Sequence, residues 1–193
     1  MAFIGLRYPV FAPIASEPEE APIEYGAGIR LCDAMAANVS FKRSDSQLYS
    51  SDVVAESDNG ITGGTVSFGT SDLTDAHQKT VLGVKEVGTS PNQYYEETSA
   101  SAAPGGFGYI RVKKKKGVLR YVAYWVHKVL FALNTDEAKT KGESIEWQTP
   151  TIEGQMMGVF IDTSGVACFR RHQEFATYAE AKAWIDAIAE PAA

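Results

Sequence analysis

Three stretches of this chain alternate polar and apolar residues with a period of two, the pattern of a strand with one wet and one dry face. In residues 34–42, Val39 and Phe41 fall on one side and Asn38 and Ser40 on the other. In Ile61–Gly69, Val66 and Phe68 oppose Thr65 and Ser67. In Glu143–Val159 the polar side chains Ser144, Glu146 and Gln148 are even-numbered, whereas Thr151, Glu153 and Gln155 are odd-numbered. A parity change across Pro150 requires a bulge or a turn, and proline, with no N–H to give to a ladder, suits both. The chain is therefore expected to be mainly β, with strand faces of small hydroxyl, amide and acidic groups and no basic ones. Such faces are the wet side of a half-buried antiparallel sheet or the lining of a hydrophilic channel.

Two further strand-like runs flank the basic tip Lys113-Lys114-Lys115-Lys116-Gly117 and read as a hairpin. Its second arm, Val118–Phe131, includes Tyr121, Tyr124, Trp125, Val126 and Val129, apolar enough for a central strand covered in part on both faces. The tip lysines either keep the sheet edge from aggregating or meet an acidic surface of another subunit. Ser99–Gly108, SASAAPGGFG, reads as a loop by composition. A short helix is expected at 74–82, capped by Asp72 or Thr74 and closed by Gly83 in a left-handed conformation. The clearest element is a helix at 178–189: Thr177 and Glu180 make a capping box, Ala181, Trp184, Ile185 and Ile188 share a face, and Pro191 ends it. Phe68, Trp125, Trp184 and Ile185 are the expected core anchors, Trp184 packing onto a sheet.

A length of 193 residues, 45% of them hydrophobic, supports one core with something to spare. The surplus falls in two places. Residues 1–28 contain prolines at 9, 13, 18 and 22 and read as an extended arm, whose Phe3, Tyr8 and Phe11 stay wet unless a neighbour covers them. Residues 44–59 are dense in Ser and Asp yet carry Leu48, Tyr49, Val53 and Val54, the makings of a projecting loop or ragged hairpin. Residues 29–193 then form a single domain.

The net charge, 18 − 24 = −6, excludes a protein that grips phosphate backbones by bulk charge. Cys32 and Cys168 lie far apart and outside any CxxC pair, and read as reduced thiols. His77, His127 and His172 stand in unrelated contexts, without HExxH, and no GxSxG, GxxxxGK[ST] or helix-opening GxGxxG occurs. Glu143 and Glu146, three apart on a strand, face opposite sides and make no acid–base pair. No enzyme, metal or cofactor is expected. No run of 18 apolar residues and no secretory-type start occurs, so a soluble chain without membrane insertion is expected.

Several motifs resemble one family. They are Ala55-Glu56-Ser57-Asp58 leading to Gly64-Thr65-Val66-Ser67-Phe68-Gly69, then Asp72-Leu73, Leu82-Gly83 and the run Lys141–Gly154, KGESIEWQTPTIEG. Together with Ile4–Val10, Ala37-Asn38-Val39-Ser40 and the terminal helix, they are similar in order to the major tail protein of long, non-contractile-tailed bacteriophages. The resemblance implies an antiparallel β-sandwich with one flanking and one C-terminal helix. Its subunits would form stacked, hexameric rings whose inner sheets join into a ring-wide β-barrel, a channel for the genome. Asn38, Ser40, Thr65, Ser67, Ser144, Glu146, Gln148 and Glu153 are then expected to face the lumen. Leu48, Tyr49, Val53, Val54, Phe3, Tyr8 and Phe11 are expected between subunits and rings. The implied partners are further copies of the chain, a tape measure protein, tail terminator and distal tail proteins, and genomic DNA that passes without specific binding. The implied location is the virion, after assembly in the host cytoplasm. Two other readings remain open: the inner tube of a contractile tail or gene-transfer particle, and a carbohydrate-binding β-sandwich of a virion that uses Trp125, Trp147 and the tyrosines.

Overall fold

The computed structural model describes residues 2–18, 21–50, 53–99, 102–115, 117–133, 149–161 and 164–190, with backbone only at 2, 46–50, 53–58 and 115. The strands are β1 (Ala2–Ser16), β2 (Glu24–Tyr25), β3 (Ile29–Arg30), β4 (Ala34–Arg43), β5 (Ser46–Ser50), β6 (Val53–Asp58), β7 (Ile61–Thr70) and β8 (Lys85–Val87). They continue as β9 (Tyr94–Glu96), β10 (Gly105–Lys115), β11 (Val118–Ala132), β12 (Thr151–Met156), β13 (Val159–Phe160), β14 (Ala167–Cys168) and β15 (Arg170–Phe175). Helix α1 (Asp75–His77) runs on as a π turn (Gln78–Leu82), and α2 (Tyr178–Ala189) closes the described chain. The expected mainly β, α+β architecture with antiparallel sheets is what the chain adopts, and among the described residues no barrel closes.

Among the described residues, nine strands form one antiparallel sheet along the path β2-β1-β10-β11-β12-β7-β4, with β15 on β11 and β3 on β1. The long strand β11 organises it. Its Tyr121–Val126 half pairs with β15 and its Val129–Ala132 half with β12, while β10 covers the other edge. Between the halves, Gly105 and Phe107 of β10 face Val129 and Val126, so two steps on β10 match three on β11. This bulge at His127-Lys128 inverts which parity faces inward. Before it, Val122, Tyr124 and Val126 face the main core; after it, Val129 and Phe131 do. The sheet folds over on itself at this point. Phe68 of β7 meets Phe107 of β10 edge-on at 5.2 Å, and Phe11 of β1 meets Phe131 at 6.0 Å, filling the sandwich.

The opposite face of β1, β10 and β11 is also covered. Val10, Ile110, Ala123 and Trp125 pack there against Ala181, Ile185 and Ala189 of α2. Gly106 and Gly108 of β10 let the indole lie flat on the sheet: a Cβ at Gly108 would stand 2.6 Å from Trp125 Cε3. The expected loop at 99–108 is therefore strand from Gly105 onward, because bare backbone there is what Trp125 packs on.

The capping box forms as expected, Glu180 N donating to Thr177 Oγ1 at 3.3 Å and Thr177 N to Glu180 Oε2 at 3.1 Å. The fully buried stripe, however, is Ala181, Ile185 and Ala189, spaced by four. Trp184 is half-buried at the rim, between Phe175 and the Arg171 guanidinium, which lies 5.2 Å from its ring. It borders the core that it was expected to anchor. The short helix forms over the expected span and Gly83 closes it at φ 71°, but Thr74 makes no side-chain cap.

The N-terminal arm is the main correction. β1 lies inside the sheet, and Tyr8 and Phe11, expected at subunit contacts, are 6% and 0% exposed in the chain's own core. A bulge at Tyr8-Pro9, where Arg7 and Val10 face Ile110 and Gly108, puts Tyr8 at φ 55° and turns its ring toward α2. Its hydroxyl donates to Asp186 Oδ1 at 2.7 Å. Phe3 alone of the three stays exposed, under the Arg111 guanidinium at 3.6 Å.

His127, at the β11 bulge, is 4% exposed, and burial, helped by Arg171, pushes its imidazole down to about 4. Between about pH 6.5 and 4 the unfolded chain holds a proton there that the folded chain does not. Stability is expected to fall across that window on acidification, by up to roughly 3 kcal/mol. Urea denaturation from neutral pH downward is expected to show this slope in the wild type and its loss in His127→Gln.

Candidate functional site

The expected polar face exists as one surface on β4, β7 and β12. Antiparallel partners present side chains on the same side of a sheet. Asn38, Ser67 and Glu153 are successive partners across the three strands, as are Ser40, Thr65 and Gln155. Asn38, Ser40, Thr65, Glu153 and Gln155 are exposed and Ser67 is half-buried. The register is held from beneath, where Ile152, Val66 and Phe68 are 0% exposed. Ser144, Glu146 and Gln148 lie outside the described residues.

The face is less uniform than expected. Lys42 continues the even-numbered row of β4 opposite Gly63 and is exposed, so a basic group does stand on it. On the other flank the rows run into Ala132 and Leu130 of β11. There a cavity of about 390 Å³ opens between Leu130, Ala132, Glu153, Gln155, Val84 and Glu97. β4 pairs with β7 and is the end strand of the path among the described residues, so its outer backbone groups form an edge.

Within residues 44–59, β5 pairs with β6 as a ribbon, with a register shift between Leu48 and Tyr49. It leaves the main sheet beyond the Arg43–Ile61 pair. Ladder register places that departure toward the same end as the Lys113–Lys116 tip. The side chains of Leu48, Tyr49, Val53 and Val54 are not described. At the tip, Lys113 is ion-paired to Glu174 of the same chain, and Lys114 is exposed.

The titratable groups are scattered. Both cysteines are free and half-buried. Cys32 Sγ lies 3.5 Å from His77 Nδ1, a contact no spacing rule reveals because the residues are 45 apart, and His77 Nε2 sits 3.1 Å from Arg30 O. Burial, reinforced by Asp72, pushes that thiol up, which favours the inert protonated form. His172 stacks on Tyr124 at 5.3 Å, and among the described residues no three His, Cys, Asp or Glu gather as a metal site. Trp125 is fully buried, which removes it as a stacking platform for a sugar, while Trp147 lies outside the described residues. No protein-family model matches the chain, and no curated protein does.

Alanine at Asn38, Ser40 or Gln155 is expected to change unfolding free energy by less than about 0.5 kcal/mol. Ile152→Ala, one residue away on the buried side, is expected to cost about 2–5 kcal/mol. Urea denaturation of the four variants measures the contrast between the two faces.

Proposed function

We propose that this chain is the tail tube protein of a long, non-contractile-tailed bacteriophage, polymerising as stacked hexameric rings around a channel for the genome. The observation that carries the reading is the three-strand polar face of β4, β7 and β12, ending in the open edge of β4. A sheet whose last strand has unused backbone groups gains a full ladder when a neighbour's strand pairs with it, and a closed ring of copies leaves no edge. The polar face, opposite the packed core, then lines the lumen.

The electrostatics fit passage rather than binding. Six copies carry 6 × −6 = −36 formal charges. Exposed Asn38, Ser40, Thr65 and Gln155 offer phosphate no fixed charge, and Glu153 and Lys42 cancel formally in each copy. Fields from the rest of the subunit reach only about 8–10 Å through physiological salt. A lumen of this composition neither holds DNA by counterion release nor dries around it.

Negative-stain electron microscopy of the concentrated full-length protein is expected to show hollow tubes of constant diameter. Solid fibres or amorphous aggregates would count against the reading. Deleting residues 46–56 removes most of the β5–β6 ribbon while leaving β4 and β7 intact. That variant is expected to keep a cooperative urea transition and fail to form tubes; normal tubes would remove the ribbon from the ring-to-ring contact.

A further inference from the structure

The two ends of the β10–β11 hairpin carry opposite charge. Residues 111–120, around the tip, hold two arginines, four lysines and no acid, a formal +6, of which Lys113 is paired to Glu174 and Lys114 is exposed. Exposed Val118 and Leu119 stand beside the lysines. Residues 71–99 hold two lysines and five acids, 2 − 5 = −3. That segment builds the β8–β9 ribbon, where Tyr94 and Tyr95, 53% and 37% exposed, adjoin Glu96 and Glu97. The ribbon is braced: Gln93 Nε2 donates to Tyr95 Oη at 3.0 Å and also to Glu86, which pairs with Lys79 at 2.5 Å.

Val84 and Glu97, at the base of the ribbon, line one cavity with Leu130, Ala132 and Leu133. That is the end of β11 farthest from the tip at Val118. At about 3.3 Å per residue, the 15 residues of β11 measure roughly 45 Å along the strand. The ribbon strands, three residues each, reach only about 10 Å. Tip and ribbon thus lie at opposite ends of β11, where those of successive copies can meet. Ammonium groups set against carboxylates and tyrosine faces gain Coulomb and cation–π attraction. A contact between two different patches at opposite ends of a subunit repeats along an axis.

We propose that the end of the β10–β11 hairpin at Lys114, Val118 and Leu119 of one copy docks on the Tyr94–Glu97 ribbon of the next, a head-to-tail contact along the tube. The inference rests on the tube reading for its second-copy occupant. Three full-length variants test it: the tip swap K114E/K115E, the ribbon swap E96K/E97K, and the chain with all four changes. Each two-site swap is expected to raise the concentration at which assemblies sediment by about tenfold or more. The four-site chain, in which the charges are exchanged rather than lost, is expected to return to within about threefold of wild type. Carbodiimide cross-linking of wild-type assemblies, read by mass spectrometry, is expected to join Lys114 or Lys115 to Glu96 or Glu97. Two-site swaps that assemble as well as wild type, or a four-site chain that does not recover, overturn the docking and leave the tube reading standing. A wild-type chain that shows no self-association at any concentration overturns both.

Discussion

Every layer of this protein is registered on β11, and the single extra residue in that strand makes the arrangement possible. A strand of constant parity can offer one set of side chains to one partner layer along its whole length. By stepping through the bulge at His127-Lys128, β11 gives Val122, Tyr124 and Val126 and then Val129 and Phe131 to the same core. In the same step it exchanges β15 for β12 along one edge. The two-layer sandwich and the three-strand polar face both descend from that exchange, because β12 carries β7 and β4 with it. The bulge accommodates a buried His127, whose backbone N–H donates to Phe169 O at 3.0 Å. An imidazole there is kept neutral by its surroundings, which links integrity of the sheet turn to proton concentration.

What was legible in the amino-acid order follows the same logic. Strands without bulges in their central stretch kept period two, and β4, β7 and β12 could be read with the correct faces. The C-terminal helix was legible because its capping box is local chemistry between residues three apart. β1 was illegible because register shifts at Phe3/Gly5 and Arg7/Val10 scramble its parity, and Pro9 and Pro13 resemble linker residues. The glycines at 106 and 108 misled in the opposite direction, since their function is set by Trp125, well beyond them in the chain and outside the reach of composition. Trp184 and Ile185 were not separable from spacing alone, because a helix face is wider than the buried stripe the sheet selects from it.

The polar face is a case in which packing and electrostatics are independent. Its position is dictated from below by Val66, Phe68 and Ile152, and nothing in that core demands amides or hydroxyls rather than lysines above it. The choice of side chains there is thus left open by the packing beneath it. The same holds at the ends of β10 and β11. A hairpin turn tolerates almost any polar residue, so four consecutive lysines, opposed by acids at the far end of the subunit, give the molecule a direction that its fold alone does not require.

The hydroxyl of Tyr8 bound to Asp186 ties the first strand to the last helix across 178 positions of chain. Val10 and Trp125 wait for the same helix. During synthesis the polypeptide emerges N-terminus first, at about 5–20 residues per second, and α2 follows every strand that it covers. Until then the back of β1, β10 and β11 has no cover, and the sheet that sets the β4 edge is not secured on both sides. Apolar surface on those three strands therefore stays open to solvent until the helix is made, so the sheet cannot reach its final packing from its own strands alone.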